Sequence, residues 1–191
     1  GKRDLSTAFM MRCLTLCRDS GRLAMVPPQN WMFLQSFADL RACKPELLES
    51  KLEKGQFTGV LREHSLETLA HLGRHAFSES DAPFDSVLLV LRLEKPEDSH
   101  RFWACRLTAP RPSEQQADLL RRLAVSDDSN LSKLVHYPKQ IALLGVPGSP
   151  VVYWVTSHYV QLLCAPVRLG FTCDIKTGMV TGSDQRYLRG H

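Results

Sequence analysis

Histidines beside hydroxyl and carboxylate side chains are the first residues of this sequence that could do chemistry. The chain has seven histidines; His64 adjoins Ser65, and His71 and His75 precede Asp81. A nucleophile, a histidine base and an orienting carboxylate form the catalytic set of many hydrolases. That set is recognised by its geometry, and no Gly-x-Ser-x-Gly segment presents a nucleophile here. The sequence therefore predicts structural or solvated histidines.

Cysteines are the second group, and they are scattered along the chain. The six are Cys13, Cys17, Cys43, Cys105, Cys164 and Cys173. No Cys-x-x-Cys pair and no Cys/His cluster has the spacing of a zinc site. Cys13 and Cys17 lie one helical turn apart, which is half of a metal site, but they also lie among apolar residues. Because a free cysteine packs as a small hydrophobe, we expect buried thiols and no metal.

One stretch, Gly21 to Trp31, organises the elements around it. It predicts a buried strand at Leu23–Val26, entered through a glycine turn and ended by Pro27 and Pro28, which cannot donate to a sheet. Helical patterns flank this strand on both sides. A helix, a turn, a buried strand and a helix form the repeating unit of a parallel α/β sheet, so we expect the α/β class.

The flanking helices are predicted from apolar residues that recur at spacings of three and four. Residues 1–20 place Leu5, Phe9, Cys13 and Leu16 on one stripe, beside Met10, Leu14 and Cys17, with Asp4 or Ser6 as N-cap. The second helix is predicted over Trp31–Arg41.

Downstream, apolar runs alternate with turn-forming residues. The predicted elements are a helix or connection over 42–55, a strand at Phe57–Leu61, a helix at Ser65–Leu72, a central strand at Ser86–Leu93, a strand at Phe102–Leu107 that pairs with it as a hairpin, and a helix from Ser113. Proline and basic residues over 108–112 mark a boundary. Residues 151–164 have the apolar density of a packed element.

Composition permits several functions and excludes few. The chain has 191 residues, of which 43% are hydrophobic and 23% charged, as in an ordinary globular protein. The net charge of +4 permits nucleic-acid binding without arguing for it. No apolar run approaches the roughly 20 residues of a membrane helix, and no signal peptide is visible, so we expect a cytoplasmic protein without membrane contact.

Several segments, in order, resemble a known family. They are Asp4-Leu5-(x)3-Phe9-Met10-(x)2-Cys13-Leu14, Gly21-Arg22-Leu23-Ala24-Met25-Val26-Pro27-(x)2-Asn30-Trp31, Phe37-(x)2-Leu40-Arg41, His64-Ser65-(x)3-Leu69-(x)2-Leu72-Gly73-(x)3-Phe77, Val152 to Val155 and Lys176 to Leu188. Together they resemble the middle of adenine-N6 DNA methyltransferases with an Asn-Pro-Pro-Tyr active-site motif, most of all the large PglX-type enzymes of prokaryotic BREX phage-defence systems.

The resemblance implies where the catalytic motif lies. In the family, the amide of that motif and a backbone carbonyl accept hydrogen bonds from the adenine amino group, and the aromatic residue stacks on the flipped base. Here Val26 and Gln29 flank Pro27-Pro28, and neither suits that chemistry. The proline pair is therefore interpreted as a strand end. No Gly-x-Gly precedes Gly21, so the motif and the cofactor loop are expected upstream of Gly1.

Phe77 is the candidate catalytic residue that the resemblance implies. In the family, an aromatic or apolar residue after the Leu-Gly step packs on the second face of the extruded adenine, and Leu72-Gly73-(x)3-Phe77 has that arrangement. Phe77 could equally fold back into the core, in which case Phe84 is the alternative.

The C-terminal segment resembles the opening of a target-recognition domain. Its candidate DNA-binding residues are Lys176, Thr177, Thr181, Arg186 and Arg189. In the family such loops bring backbone amides and hydroxyls to DNA phosphates, and Gly178 and Gly182 would allow a close approach. A plain surface turn explains the same glycines.

The resemblance implies an α/β fold that is the C-terminal half of a Rossmann-like methyltransferase sheet. Residues 1–110 are assigned to the back half of the catalytic core, 111–150 to a connector and 151–191 to the start of target recognition. The implied cofactor is S-adenosylmethionine, and the implied partners are double-stranded DNA and other defence or restriction-modification subunits. This chain alone is expected to be inactive. The alternative is a non-catalytic α/β module that binds DNA or protein.

Overall fold

The computed structural model describes residues 4–73, 85–108, 113–125, 131–165 and residue 173. The helices are α1 Leu5–Leu16, α2 Asn30–Phe33, α3 Ala38–Arg41, α4 Pro45–Glu53, α5 Val60–Glu63, α6 Ser113–Val125, α7 Gln140–Leu144 and α8 Ser157–Leu163, with 3-10 turns at Gln35–Phe37 and Ser132–Leu134. The strands are β1 Arg22–Met25, β2 Ser65–Gly73, β3 Ser86–Arg92, β4 Trp103–Arg106 and β5 Val135–His136.

The five strands form one mixed sheet in the order β1-β3-β2-β4-β5. Strand β3 runs antiparallel to both β1 and β2, whereas β2 and β4 are parallel and β5 is antiparallel to β4. Strands β1, β2 and β4 therefore point in the same direction. The predicted α/β class is confirmed, but the sheet is mixed rather than parallel because β3 is inserted between β1 and β2 in the opposite sense.

Apolar side chains cover both faces of the sheet. Leu89 and Ala104 belong to the larger cluster, which α1, α2 and α5 complete. Their neighbours Leu88 and Cys105 point to the other face, where α6 contributes Leu123. The predicted helix from Ser113 is thus confirmed as a layer on the second face, and the strand at Ser86–Arg92 is confirmed as an inner strand.

Strand β2 corrects the helix predicted at Ser65–Leu72. Leu66 and Leu69, three residues apart, both belong to the larger cluster, and this spacing imitates a helix. The register of β2 against β3 shifts between Leu66 and Thr68. A bulge of this kind adds one residue to the strand, so side chains three apart reach the same face.

Two further predictions about strands are wrong. Strand β4 pairs with β2 and β5, so it does not form a hairpin with β3, because the turn after β3 carries the chain past β2 to its far side. The strand predicted at Phe57–Leu61 is instead an irregular entry to α5. Gly59 there has a φ of 121°, and an added Cβ would lie 2.4 Å from the Cα of Ala42.

Helix α1 begins as predicted, with the Asp4 carboxylate accepting from the backbone N–H groups of Ser6 and Thr7. Its buried apolar side chains are Met10 and Leu14 rather than the predicted stripe, and the polar Thr7 is buried as well. Leu5, Phe9 and Leu16, the apolar residues of that stripe, are exposed. The mistake arose because α1 carries apolar residues on more than one side, so periodicity alone does not show which side meets the sheet.

The predicted helix over Trp31–Arg41 is broken into α2, a 3-10 turn and α3. Of the two alternatives for 42–55, a helix or a connection, the structure shows a helix, α4. No helix in the described part of the chain combines the length and apolarity needed to cross a membrane.

Candidate functional site

Three strands end at one edge of the sheet. Met25 closes β1, Gly73 closes β2 and Arg106 closes β4, while β3 begins at the same edge with Ser86. In open α/β sheets, ligands bind in the crevice outside the carboxyl ends of the strands. This carboxyl edge is therefore the candidate functional site.

The proline pair forms part of this edge. The Pro27 carbonyl accepts a hydrogen bond from the Val87 amide at 3.0 Å, and Pro28 forms an isolated bridge with Ser86. The chain thus runs beside β3 through its carbonyls, which proline retains, and needs no proline N–H. The interpretation of the pair as a strand end is confirmed.

A chain of hydrogen bonds crosses the edge behind the prolines. The Gln29 side-chain amide donates to the Asp85 carboxylate at 2.6 Å, and Gln29 Oε1 lies 2.5 Å from His71 Nε2. His71 Nδ1 lies 3.0 Å from the hydroxyl of Tyr153. The Tyr153 hydroxyl also lies 3.5 Å from the Cys105 carbonyl, and we assign its proton to the nearer His71 Nδ1. The donors then run in one direction: Tyr153 O–H to Nδ1, Nε2–H to Gln29, and Gln29 to Asp85. This order requires a neutral His71.

Burial supports the neutral imidazole. His71 is 5% exposed, and this burial, helped by the nearby Arg106 and opposed by Asp85, lowers the pKa of His71 to about 4. Burial likewise raises the pKa of the Tyr153 hydroxyl. Neither group changes its charge near neutral pH, so both act there as fixed donors and acceptors.

Aromatic rings enclose the hydrogen-bond chain. Trp154 packs edge-on against Tyr153 at 5.0 Å and against Phe33 at 5.6 Å between ring centroids. The guanidinium of Arg106 lies 4.9 Å from the centroid of the Trp154 ring, in a cation–π arrangement. Aromatic rings thus line the described part of this edge, and the guanidinium of Arg106 borders them.

The hydrogen-bond chain includes residues on both sides of the segment that carries Phe77. His71 lies two residues before Gly73, and Asp85 directly follows residues 74–84. Both nitrogens of His71 are occupied, and the Gln29 amide engages the Asp85 carboxylate. The arrangement therefore suits positioning of an adjacent segment better than proton transfer.

The structure does not test the predicted site residues. Phe77 and Phe84 lie in 74–84, and all five candidate DNA-binding residues lie in 174–191; both segments are outside the described residues. These assignments stay predictions. For His71, the prediction of a structural histidine is confirmed.

Sequence reasoning missed Gln29, Asp85 and Tyr153. Their partners lie 42 to 82 residues apart, and no local pattern links them. Cys13 and Cys17 are half-buried rather than buried as predicted, although both pack against the larger cluster. Within the described ranges, no three His, Cys, Asp or Glu side chains come together as metal ligands would.

Comparison with known proteins finds similarity to adenine-specific methyltransferases, although no protein-family model matches the chain. The chain is 27% identical over 190 residues to the adenine-specific methyltransferase PglX of Lacticaseibacillus casei (strain Zhang), covering 98% of this chain and 14% of that protein. It is 26% identical over 188 residues to the adenine-specific methyltransferase BrxX of Escherichia coli O9:H4 (strain HS), covering 98% of this chain and 13% of that protein. The resemblance to PglX-type enzymes is confirmed, and the chain spans about one seventh of these relatives.

The solved structures that partly match the chain include proteins of restriction-modification systems. One is a modification subunit of a putative type I restriction enzyme from Vibrio vulnificus YJ016, with a TM-score of 0.45 and 15% identity, covering 70% of this chain and 27% of that one. Another belongs to a type I restriction-modification system, with a TM-score of 0.47 and 16% identity, covering 87% of this chain and 34% of that one.

Proposed function

We propose that this chain is part of a site-specific DNA adenine-N6 methyltransferase of a BREX-type or restriction-modification system. The whole enzyme would transfer a methyl group from S-adenosylmethionine to a flipped adenine. The observation that carries this proposal is the similarity to two adenine-specific methyltransferases over 98% of the chain. The convergence of three strand ends at one edge, beside the Phe77 segment, supports it.

Within that enzyme we propose the division predicted from the sequence. Residues 1–110 belong to the back half of the catalytic core, 111–150 to a connector and 151–191 to the start of the target-recognition region. The connector packs on the core, since β5 pairs with β4. The first residues of the target-recognition region pack there too, since Tyr153 is buried against His71. The outer edge of β1 carries no strand in the described structure, so it can accept one from the front half of the core.

The described residues do not by themselves fit S-adenosylmethionine. Binding of a nucleoside cofactor at the carboxyl edge calls for a glycine-rich turn after a strand and an acidic residue for the ribose. Here Pro27 and Pro28 follow β1, and the Gln29 amide already engages Asp85. We therefore assign the cofactor to the rest of the enzyme and derive no step through it.

Methyl transfer tests the proposal. The full-length protein that carries this chain should move a labelled methyl group from S-adenosylmethionine to duplex DNA, whereas the 191-residue chain alone should not. In the full-length protein, Phe77→Ala should slow transfer roughly tenfold, because stacking on one base contributes about 1–3 kcal/mol. Phe77→Tyr keeps a stacking ring and serves as the control.

Three outcomes would count against parts of this proposal. If Phe77→Ala transfers methyl groups at the wild-type rate, Phe77 is a surface residue without a role in base stacking. If the variant unfolds, Phe77 is a core residue. No transfer by the full-length protein, with DNA binding intact, would favour the non-catalytic α/β module.

Double-stranded DNA is the proposed macromolecular partner, contacted through Lys176, Thr177, Thr181, Arg186 and Arg189. If Arg186 meets a phosphate, Arg186→Ala in the full-length protein should weaken binding to all duplexes alike and reduce the salt slope by about one. A base-reading arginine would instead relax preference at one position. Duplex affinity measured against salt separates the two. If neither affinity nor slope changes, residues 176–189 form a solvated turn.

A further inference from the structure

An open cleft lies next to the candidate site, on the side of Tyr153 and Trp154. It has a volume of about 600 Å³, and the residues that give it its chemistry are Arg101, His136, Tyr137, Lys139, Trp154 and Gln161. This volume falls in the range of sites for small ligands and cofactors. None of the described residues that line the cleft is acidic. The charged side chains that line the cleft are therefore cationic, and Tyr137 and Trp154 add aromatic rings.

Two cations stand side by side in this cleft. Arg101 and Lys139 are exposed partners in an antiparallel bridge, and directly opposite residues of such a pair project to the same face. The Arg101 Nη1 group donates to the Tyr137 carbonyl at 2.6 Å, which fixes the guanidinium. Like charges placed directly opposite each other destabilise a pair. An anion bound between them would remove that cost.

The third cationic candidate, His136, adds no charge at neutral pH. Its partial burial, together with the nearby Arg106, lowers the pKa of the His136 imidazole. The positive charge of the cleft therefore comes from Arg101 and Lys139. An anionic ligand should meet these two side chains first.

Aromatic rings supply the second part of the cleft. Tyr137 is 60% exposed, and Trp154 is half-buried and held by Phe33, Tyr153 and Arg106. Proteins that bind single-stranded nucleic acid combine a basic groove along the backbone with aromatic rings on which bases stack. A base paired inside a duplex offers no free face to such rings. The cleft therefore suits unpaired nucleotides.

We propose that this cleft binds an unpaired segment of DNA, with a phosphate on Arg101 and Lys139 and a base against Tyr137 or Trp154. The inference rests on the proposed function, because an enzyme that extrudes a base leaves unpaired nucleotides beside it. An acidic protein segment would satisfy the two cations but leave the aromatic rings without a matching partner.

Anisotropy of a short fluorescent oligothymidylate, titrated with the full-length protein and with the 191-residue chain, tests the phosphate contacts. Arg101→Ala/Lys139→Ala should lower the affinity roughly tenfold at physiological salt and reduce the salt slope by one to two. The matched control is Arg12→Ala/Lys54→Ala, which removes the same charges from exposed positions on α1 and after α4. Equal losses in the two double variants would overturn the proposal.

The aromatic contact is tested separately. An oligothymidylate that contains 5-iodouracil should, on irradiation, crosslink to a peptide that contains Tyr137 or Trp154. Tyr137→Ala should weaken binding roughly fivefold or more, whereas Tyr137→Phe should bind as the wild type does. A crosslink elsewhere, or displacement of the oligonucleotide by polyglutamate at equal charge concentration, would overturn the proposal.

The two proposals fail in different ways. If the full-length protein transfers no methyl group, the proposed function fails, while the crosslink and the double variants still report on the cleft. If it methylates DNA but the cleft variants bind the oligonucleotide as their controls do, only the cleft inference fails.

Discussion

Arg41→Met should lower the free energy of unfolding by about 4 kcal/mol, a large share of the 5–15 kcal/mol that holds a domain together. Arg41 is 1% exposed. Its guanidinium donates to the carbonyls of Trp31 and Leu34 at 2.7 and 2.9 Å, and to the Gly148 carbonyl at 2.7 and 3.0 Å. Methionine fills much of the volume but removes the charged donor from three inward carbonyls, and of these the Leu34 carbonyl keeps the Phe37 amide as a donor at 3.1 Å.

The partners of Arg41 explain why this effect is large. They join the broken helical segment after β1 to the turn before Val151, and the Val151 amide in turn donates to the Met32 carbonyl. Burial lowers the pKa of Arg41 to about 10, so the side chain stays charged at neutral pH. Charge-assisted hydrogen bonds are roughly twice as strong as neutral ones, so their loss is costly. Lysine keeps the charge but has a single nitrogen and cannot reach all three carbonyls, so Arg41→Lys should restore only part of the loss.

Urea denaturation followed by circular dichroism measures this prediction. For a slope near 2 kcal/mol/M, the midpoint of Arg41→Met should fall by about 2 M. Arg12→Met makes the same chemical change on the exposed side of α1 and should stay within about 0.5 kcal/mol of wild type. If both variants unfold at the same urea concentration, the guanidinium of Arg41 contributes nothing to stability.

The elements that were predictable from the sequence are those whose signals are local. Asp4 caps α1 through its own carboxylate, and Pro45 begins α4 at a position where its missing N–H costs nothing. The apolar run at Val87–Leu91 forms an inner strand in which Val87, Leu89 and Leu91 are buried. Each of these features is decided within a few residues. The tertiary structure did not need to be known.

The errors arose where a distant partner decides the outcome. Leu66 and Leu69 have helical spacing, but β3 and β4 on either side hold the segment as a strand, and a bulge brings both leucines to one face. The side of α1 that meets the sheet and the partner of β4 likewise depend on residues far along the chain. Pairing of this kind leaves no periodic signal in the segment itself.

The candidate site was still less predictable. Gln29, His71, Asp85 and Tyr153 lie on four separate segments, and each is an ordinary polar residue in its local sequence. The sheet brings them together because β1 and β2 end at the edge where β3 begins. The resemblance indicated the class of enzyme that we propose and pointed to Phe77, but it did not indicate the network that flanks the Phe77 segment.

Acid should destabilise this protein through His71. In the folded chain burial lowers the pKa of His71 to about 4 from an ordinary 6.5, with Arg106 reinforcing and Asp85 opposing the shift. Between these pH values the unfolded chain takes up a proton that the folded chain does not bind. The stability from neutral His71 is therefore fully present above about pH 6.5 and is lost progressively down to about pH 4, by roughly 3 kcal/mol.

Other histidines contribute in the same direction, so the test must isolate His71. Burial also lowers the pKa values of His64 and His136. His71→Gln cannot take up a proton, and its amide can still bond to a neighbour, so we expect lower stability at pH 7 but a shallower decline with acid. His158→Gln, at an exposed position on α8, should retain the wild-type decline. Urea midpoints at intervals from pH 7.5 to pH 4 measure the three slopes. If His71→Gln declines as steeply as wild type, then His71 binds its proton equally well in the folded and unfolded chain, and the donor order from Tyr153 to Asp85 is wrong.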